Sequence, residues 1–278
     1  MARVVAAFAS SHAPMMISAR DSAPEGQRTR FLGALEQASR RVREAGAQAV
    51  VIVSNEHFTN FFLENFPQHC IGLGATHIGP TEGWLGIPQN SPLPGAPEFA
   101  LSLTRQLLGS GFEPAISHHL TLDHGVMTVY HALAPEFDLP LIPLLQNCAV
   151  EPMVPLAGAH ALGRGLAKAI EACTELDRVA VVAAGGLSHW VGTERVGDID
   201  SEFDRWFLDA MARNDFTDVL DMSDAELEEA GNGAHEIRSW LTLAGLVDRP
   251  AKVLAYEPVR EWITGMGVVE YEMLGDAT

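Results

Sequence analysis

Hydrophobic residues in this chain gather into short unbroken runs, separated by longer stretches in which they recur at helical spacing. Residues 3–9 (RVVAAFA) form the first run and predict a buried strand. Over residues 24–46, Phe31, Leu32, Leu35, Ala38 and Val42 share one side and arginines the other, the pattern of an amphipathic helix. AQAVVIVSN (47–55) then predicts a second buried strand. Strand, helix, strand in that order is the unit of a parallel sheet, because parallel neighbours need a crossover between them.

The rest of the chain continues the alternation. HCIGLGA (69–75) reads as a short strand, and the Gly- and Pro-rich residues 76–94 as loop. Residues 96–110 are helical in pattern, and FEPAISHHLTLDHG mixes strand and turn signals. LPLIPLLQNC (139–148) is a strand with a proline inside, which argues for a sheet edge or a bulge. A helix over 155–173 precedes DRVAVVAAGG, the clearest buried strand of the chain. The last third predicts helices over 200–213, 223–230 and 234–246, and closing strands in AKVLAYEPV and GVVEYEM. Ser223 stands where an N-cap belongs, so the acidic segment DVLDMSDAELEEAG reads as a solvated helix face. The expected fold is α/β, with a mixed, largely parallel central sheet and helices on both faces. No repeat or linker divides it, so residues 1–278 are expected to form one catalytic domain.

Composition narrows the function. With 47% hydrophobic and 19% charged residues the chain has ample material for a core. Its formal charge of −18 excludes nucleic acid as an expected partner. A carboxylate-bearing substrate would need a local arginine, since Lys168 and Lys252 are the only lysines. Cys70, Cys148 and Cys173 lack paired spacing and read as reduced, buried thiols. The opening apolar run is too short for a signal segment, and no stretch approaches the roughly 20 apolar residues of a membrane span. A cytoplasmic protein without membrane contact is expected.

The candidate chemistry lies where the hydrophobic runs end. ASSHAP places His12, VVIVSNEH places His57, LDHG places His124 and VVAAGGLSH places His189 at such ends; GNGAHEIRSW places Glu236 near a helix start. In α/β proteins ligands bind beyond the carboxyl ends of the strands. A lone histidine after a strand is ordinarily a hydrogen-bonded loop residue, but two of them on consecutive parallel strands reinforce each other. Two imidazoles and one carboxylate can hold one face of a divalent ion, a set that suits non-haem Fe(II) oxygenases and also hydrolytic zinc. Asn55 or Glu56 is expected to orient the second nitrogen of His57, and Asp123 the ring of His124. His124 and His189, with imidazole chemistry suited to neutral pH, are candidates for acid and base. His235 cannot point with Glu236 and is expected to be structural. His118 and His119, as strand neighbours, would face opposite ways.

Taken together, SSHAP, the run ending in NEHFTNFF, CIGLGATHIGP, LDHG, GGLSH, GAHEIRSW and EWITGMG resemble the type III extradiol ring-cleavage dioxygenases. That superfamily includes the protocatechuate 4,5-dioxygenase catalytic subunit and 3-carboxyethylcatechol 2,3-dioxygenase. The resemblance runs from the first strand to about residue 270. It implies Fe(II) held by His12, His57 and Glu236, acid–base roles for His124 and His189, and meta cleavage of a catechol-type ring with both atoms of O2 incorporated. It implies an aromatic diol and O2 as partners and a homo-oligomeric assembly, and it leaves room for a small accessory subunit. Phe58, Thr59, His77 and Trp190 are the candidate pocket residues. The segment between His189 and Asp218 is shorter than in the carboxyethylcatechol enzymes, so their substrate does not transfer directly. Two rival readings are a zinc hydrolase with the same ligands and a non-catalytic binding subunit of the same fold.

Overall fold

A computed structural model describes residues 1–273. Its strands are β1 (Arg3–Ser10), β2 (Ala49–Asn55), β3 (His69–Gly72), β4 (Thr76–Gly79), β5 (Ser91–Pro94), β6 (Ala115–Ser117), β7 (Leu141–Gln146), β8 (Arg178–Ala184), β9 (Lys252–Val259) and β10 (Thr264–Tyr271). Its helices are α1 (Met15–Ser18), α2 (Glu25–Glu44), α3 (Pro97–Gly109), α4 (His124–Leu133), α5 (Leu156–Ala172), α6 (Ser201–Arg213), α7 (Thr217–Asp221), α8 (Asp224–Glu228) and α9 (Ile237–Val247).

Eight strands form one sheet in the order β6-β3-β7-β2-β8-β1-β10-β9. The central four, β7, β2, β8 and β1, run parallel. They are almost wholly buried, as their unbroken apolar runs require of strands covered on both faces. One core joins Ala9, Val51, Val53, Leu144 and Val181 to α3, α5 and α9; the other joins Phe8, Ile52 and Val182 to α2 and α4. Helices therefore cover both faces of a mixed, largely parallel sheet. The crossover α2 links β1 to β2, and β8 lies between those two strands. All three strands thus open at one end of the sheet, where connections diverge to opposite faces.

Three sequence expectations change. The proline-bearing strand β7 is neither at an edge nor bulged: it lies between β3 and β2, and its register with β2 is continuous from Val50↔Leu141 to Asn55↔Gln146. The ring of Pro143 points toward β3 at Gly72, where a Cβ would come within 2.9 Å of its Cδ. The missing N–H therefore falls just past the last β3–β7 pair, Ile71↔Leu144, where no ladder bond is needed. Residues 76–94 are not simply loop, since β4 and β5 pair as a separate two-stranded sheet. Pro92 and Pro94 fit β5 because it is the edge strand of that pair, bonded along its length to β4. The helix expected over 234–246 opens as a 3-10 turn, Ala234–Glu236, before α9 begins. Among the described residues no helix is long and apolar enough to cross a membrane.

Candidate metal centre and active site

The open end of the sheet brings His12, His57 and Glu236 together. His12 follows β1 and is 3% exposed; His57 follows β2; Glu236 arrives from the turn before α9 and is 6% exposed. One donor atom from each lies within 4.8 Å of the other two. His12 Nε2 is 2.9 Å from Glu236 Oε2, and His57 Nε2 is 3.5 Å from Glu236 Oε1.

The surroundings decide which nitrogen of each ring is free. His12 Nδ1 is 2.9 Å from the Gly125 carbonyl, which turns Nε2 toward Glu236. His57 Nδ1 faces the Asp123 carboxylate at 3.2 Å, again leaving Nε2 on the glutamate side. Asp123, rather than Glu56, is thus the partner of His57 at that nitrogen. Asn55 sits at the other one, with its amide nitrogen 2.8 Å from His57 Nε2 and 3.0 Å from Glu236 Oε1. Glu56 instead accepts from the backbone N–H groups of Thr59 and Asn60. Glycines make the approach possible. A Cβ at Gly125 would lie 2.8 Å from the His57 ring, and one at Gly186 would lie 3.0 Å from Glu236 Oε2. The Gly186 N–H donates to that same oxygen.

Burial alone would raise the Glu236 carboxyl, but the neighbouring His12, His189 and His57 outweigh it and hold the group well below its ordinary range. Burial lowers His12, and the pull of Glu236 only partly offsets this. For His57 burial is overcome by Asp123 and Glu236, so that ring is raised well above its usual value. A buried carboxylate and two imidazoles with converging nitrogens fit a divalent cation. His57, Asp123 and His124 also lie within 4.8 Å of one another. Asp123 is committed elsewhere, however: it accepts from the backbone N–H groups of Gly125 (2.8 Å) and His57 (3.0 Å), capping α4.

Residues 6–267 match the family of the catalytic LigB subunit of aromatic ring-opening dioxygenase. The chain belongs to this family. It is 28% identical, over 84% of its length and 87% of the relative's, to the 2,3-dihydroxyphenylpropionate/2,3-dihydroxicinnamic acid 1,2-dioxygenase of Cupriavidus necator. The protein of the same name from a Rhodococcus species is 25% identical over 95% of this chain and 97% of its own. In fold the chain is similar to the crystal structure of an uncharacterized protein from Escherichia coli K12. The TM-score is 0.64 at 17% identity, covering 96% of this chain and 100% of that one. The chain is accordingly an aromatic ring-opening dioxygenase, metal-dependent like its family.

In this LigB-family site two more histidines face the same opening. The His124 ring stacks on His57 with centroids 4.1 Å apart and lies 5.9 Å from His12. His189 Nε2 is 3.8 Å from Glu236 Oε1, while its Nδ1 is 2.7 Å from the Leu187 carbonyl. Gly231 and Gly233, from the GNG turn, wrap His189 so tightly that a Cβ at Gly233 would stand 2.0 Å from its Nε2. Asp123 does not orient the His124 ring; Glu82 does, with Oε1 2.7 Å from Nδ1. Glu82 carries no local signal, because it lies in the segment read as loop and meets His124 only in three dimensions.

Asp204 is another residue that the sequence leaves unmarked. It is fully buried and accepts from Ser188 N (2.7 Å), Ser188 Oγ (2.9 Å) and Tyr256 OH (2.7 Å), which fixes the residue before His189. Burial pushes its carboxyl up to about 7. His235 is structural as expected, 2.9 Å from the buried Arg238, which also pairs with Asp224. Asp224 makes that pair while staying partly exposed, so the segment keeps the solvated face expected of it, and Ser223 caps α8 in a capping box. The three cysteines are free and buried. His118 and His119 lie just past β6, outside any strand.

The four candidate pocket residues are placed differently. Phe58 follows His57 in the left-handed region (φ 57°) and is half-exposed. The Thr59 hydroxyl lies 3.4 Å from Asp123 Oδ2. Trp190 stacks under the Arg195 guanidinium at 3.9 Å and lines an open cavity of about 560 Å³ with Arg195, Asp200 and Arg260. His77 is 1% exposed and packs against Gly72 and Gly74, so its ring is enclosed by its own chain.

Proposed function

We propose that the chain is an Fe(II)-dependent extradiol dioxygenase that opens a catechol-type ring by meta cleavage. The observation that carries this reading is the convergence of His12, His57 and Glu236 beside two further imidazoles, in a chain of the ring-opening family. His12, His57 and Glu236 would hold the ion on one side. Bound there, the ion supplies Lewis acidity and redox chemistry toward dioxygen. His189 Nε2, with Nδ1 committed to Leu187, takes the proton of a substrate hydroxyl. His124, whose Nδ1 is turned to the Glu82 carboxylate, presents Nε2 to the opening and returns a proton to the departing oxygen. Burial of His12, His189 and Glu236 excludes water from the reacting face.

The names of the relatives point to a catechol bearing a short carboxylate side chain, and Arg195 and Arg260 beside Trp190 could meet that carboxylate. Phe58 and Thr59 lie at the rim next to His57. We assign the protein to the cytoplasm, on its buried free thiols, and to a homo-oligomer, for which the exposed Phe62 and Leu63 offer an apolar contact. A small accessory subunit would compete for that same surface.

The test is metal analysis of the purified protein with oxygen uptake over a panel of substituted catechols after anaerobic Fe(II) loading. Oxygen consumed in a one-to-one ratio with catechol, with a yellow ring-opened product, is expected. Zinc content with hydrolytic activity and no oxygen uptake would replace this reading with a hydrolase.

A further inference from the structure

We infer that the loop joining β4 and β5, residues 80–90, is a working wall of the active site. In it Glu82 is a positioning residue for His124, and Trp84 is the aromatic surface beside which the substrate ring lies. The inference rests on the ring-opening reading and adds two residues to it.

The loop is built to hold a fixed shape. Leu85 is fully buried and Ile87 is 4% exposed, both in the core that also contains Met16 and Leu122. Backbone bonds close the loop at Asn90 N to Pro80 O (2.9 Å) and join it to the segment just before α4 at Thr81 N to Leu122 O (3.1 Å). Gln89 adds a bond from Nε2 to the Thr81 carbonyl at 2.6 Å. Anchored from below, the loop presents Glu82 and Trp84 on its other side.

Glu82 Oε1 accepts twice from one residue, from the His124 backbone N–H at 3.0 Å and from its ring Nδ1 at 2.7 Å. One oxygen holding both groups fixes the side-chain torsions and the tautomer together, so Nε2 is the nitrogen left to exchange a proton. Glu82 Oε2 is buried and unpartnered, so the carboxylate has no competing attachment among the described residues. The ring so fixed is the one that stacks on His57 at 4.1 Å.

Trp84 is the second observation. Its indole lies 6.3 Å from the His124 ring, tilted by 44°, and the residue is 59% exposed. A tryptophan left open on an anchored loop contributes little to its own core. Beside a histidine-lined opening it offers a flat apolar face to a planar aromatic ligand.

The experiment compares Glu82→Ala, Glu82→Gln, Trp84→Ala and Trp84→Phe with the wild-type Fe(II)-loaded protein. It measures metal content, folding by circular dichroism, and kcat and KM with catechol and 2,3-dihydroxyphenylpropionate. Glu82→Ala should keep its metal and KM and lose about 10²-fold in kcat. Glu82→Gln, which retains an acceptor oxygen in the same shape, should recover most of that loss; if the alanine variant does not fold, Glu82→Leu, of similar size without an acceptor, takes its place. Trp84→Ala should raise KM about tenfold at nearly constant kcat, and Trp84→Phe should restore most of the affinity. Wild-type kcat in both Glu82 variants, metal loss in Glu82→Ala, or wild-type KM in Trp84→Ala would overturn the proposal. A wild-type protein that binds no catechol would instead fail the substrate reading and take this inference with it.

Discussion

His124 and His189 face one opening but are held by different means. His189 is gripped by backbone: the Leu187 carbonyl at Nδ1, the glycines of the 231–233 turn, and the Ser188 peptide clamped by Asp204. His124 stands at the first turn of α4, and its ring is held by a side chain, Glu82, from a separate two-stranded sheet. Their side chains are 8% and 17% exposed respectively. A group fixed by its own main chain owes its geometry to nearby sequence, whereas one fixed by a remote carboxylate depends on a contact made only on folding. The first should resist substitution of single neighbours; the second should be adjustable through its partner.

The largest expected effect falls on neither histidine. Glu236→Ala should remove metal and turnover together, because the remaining imidazoles lose the anionic ligand between them. Metal analysis of the purified variant checks this, and full retention of metal would dissolve the common centre that the comparison assumes. Next, His189→Ala should keep its metal and slow turnover by about 10²–10⁴-fold, read from oxygen uptake at saturating catechol. A third substitution sharpens the contrast in grip. Gly233→Ala places a methyl group on the His189 ring, 2.0 Å from Nε2, and should lower kcat by at least about tenfold without altering metal content. An unchanged kcat would show that His189 is not confined by main chain.

The smallest effect concerns pH. The Asp204 carboxyl, raised from 3.8 to about 7 by burial, binds its proton more tightly in the folded chain than in the unfolded one. Its contribution to stability is therefore greatest below about pH 4 and declines as pH rises through 7, by up to about 1.4 kcal/mol per pH unit. Asp204→Asn should flatten that part of the stability profile, as followed by denaturant melts between pH 4 and 8. An identical slope in both proteins would show that burial does not raise the Asp204 carboxyl.

The same contrast explains what could be read from sequence. The apolar runs that became β1, β2 and β8 delivered His12, His57 and His189 to their ends, and the GNG turn announced the approach to Glu236. These signals are local and physical: uninterrupted burial, then a glycine or proline where the chain must turn. Glu82 was invisible because its loop has a composition typical of solvent-exposed turns, although Leu85 and Ile87 anchor it in the core. Asp123 was seen, but beside the wrong ring, since adjacency in sequence to His124 concealed its facing His57. Pro143 misled for a related reason: an internal proline marks an edge only when both neighbouring ladders extend past it, and the β3–β7 ladder stops one residue short, at Ile71↔Leu144.

The strand β8 lies between β1 and β2, the strands that lead to His12 and His57, and is followed at once by two glycines. A Cβ at Gly185 would press on the Glu236 carbonyl at 2.8 Å, and one at Gly186 on the His189 ring at 2.4 Å. The notch in which Glu236 sits is thus hollowed from bare peptide, not lined by exchangeable side chains. Exposed side chains such as Trp84 and Phe58 can vary without disturbing that hollow, whereas the hollow itself tolerates no added side chain and is fixed by the backbone.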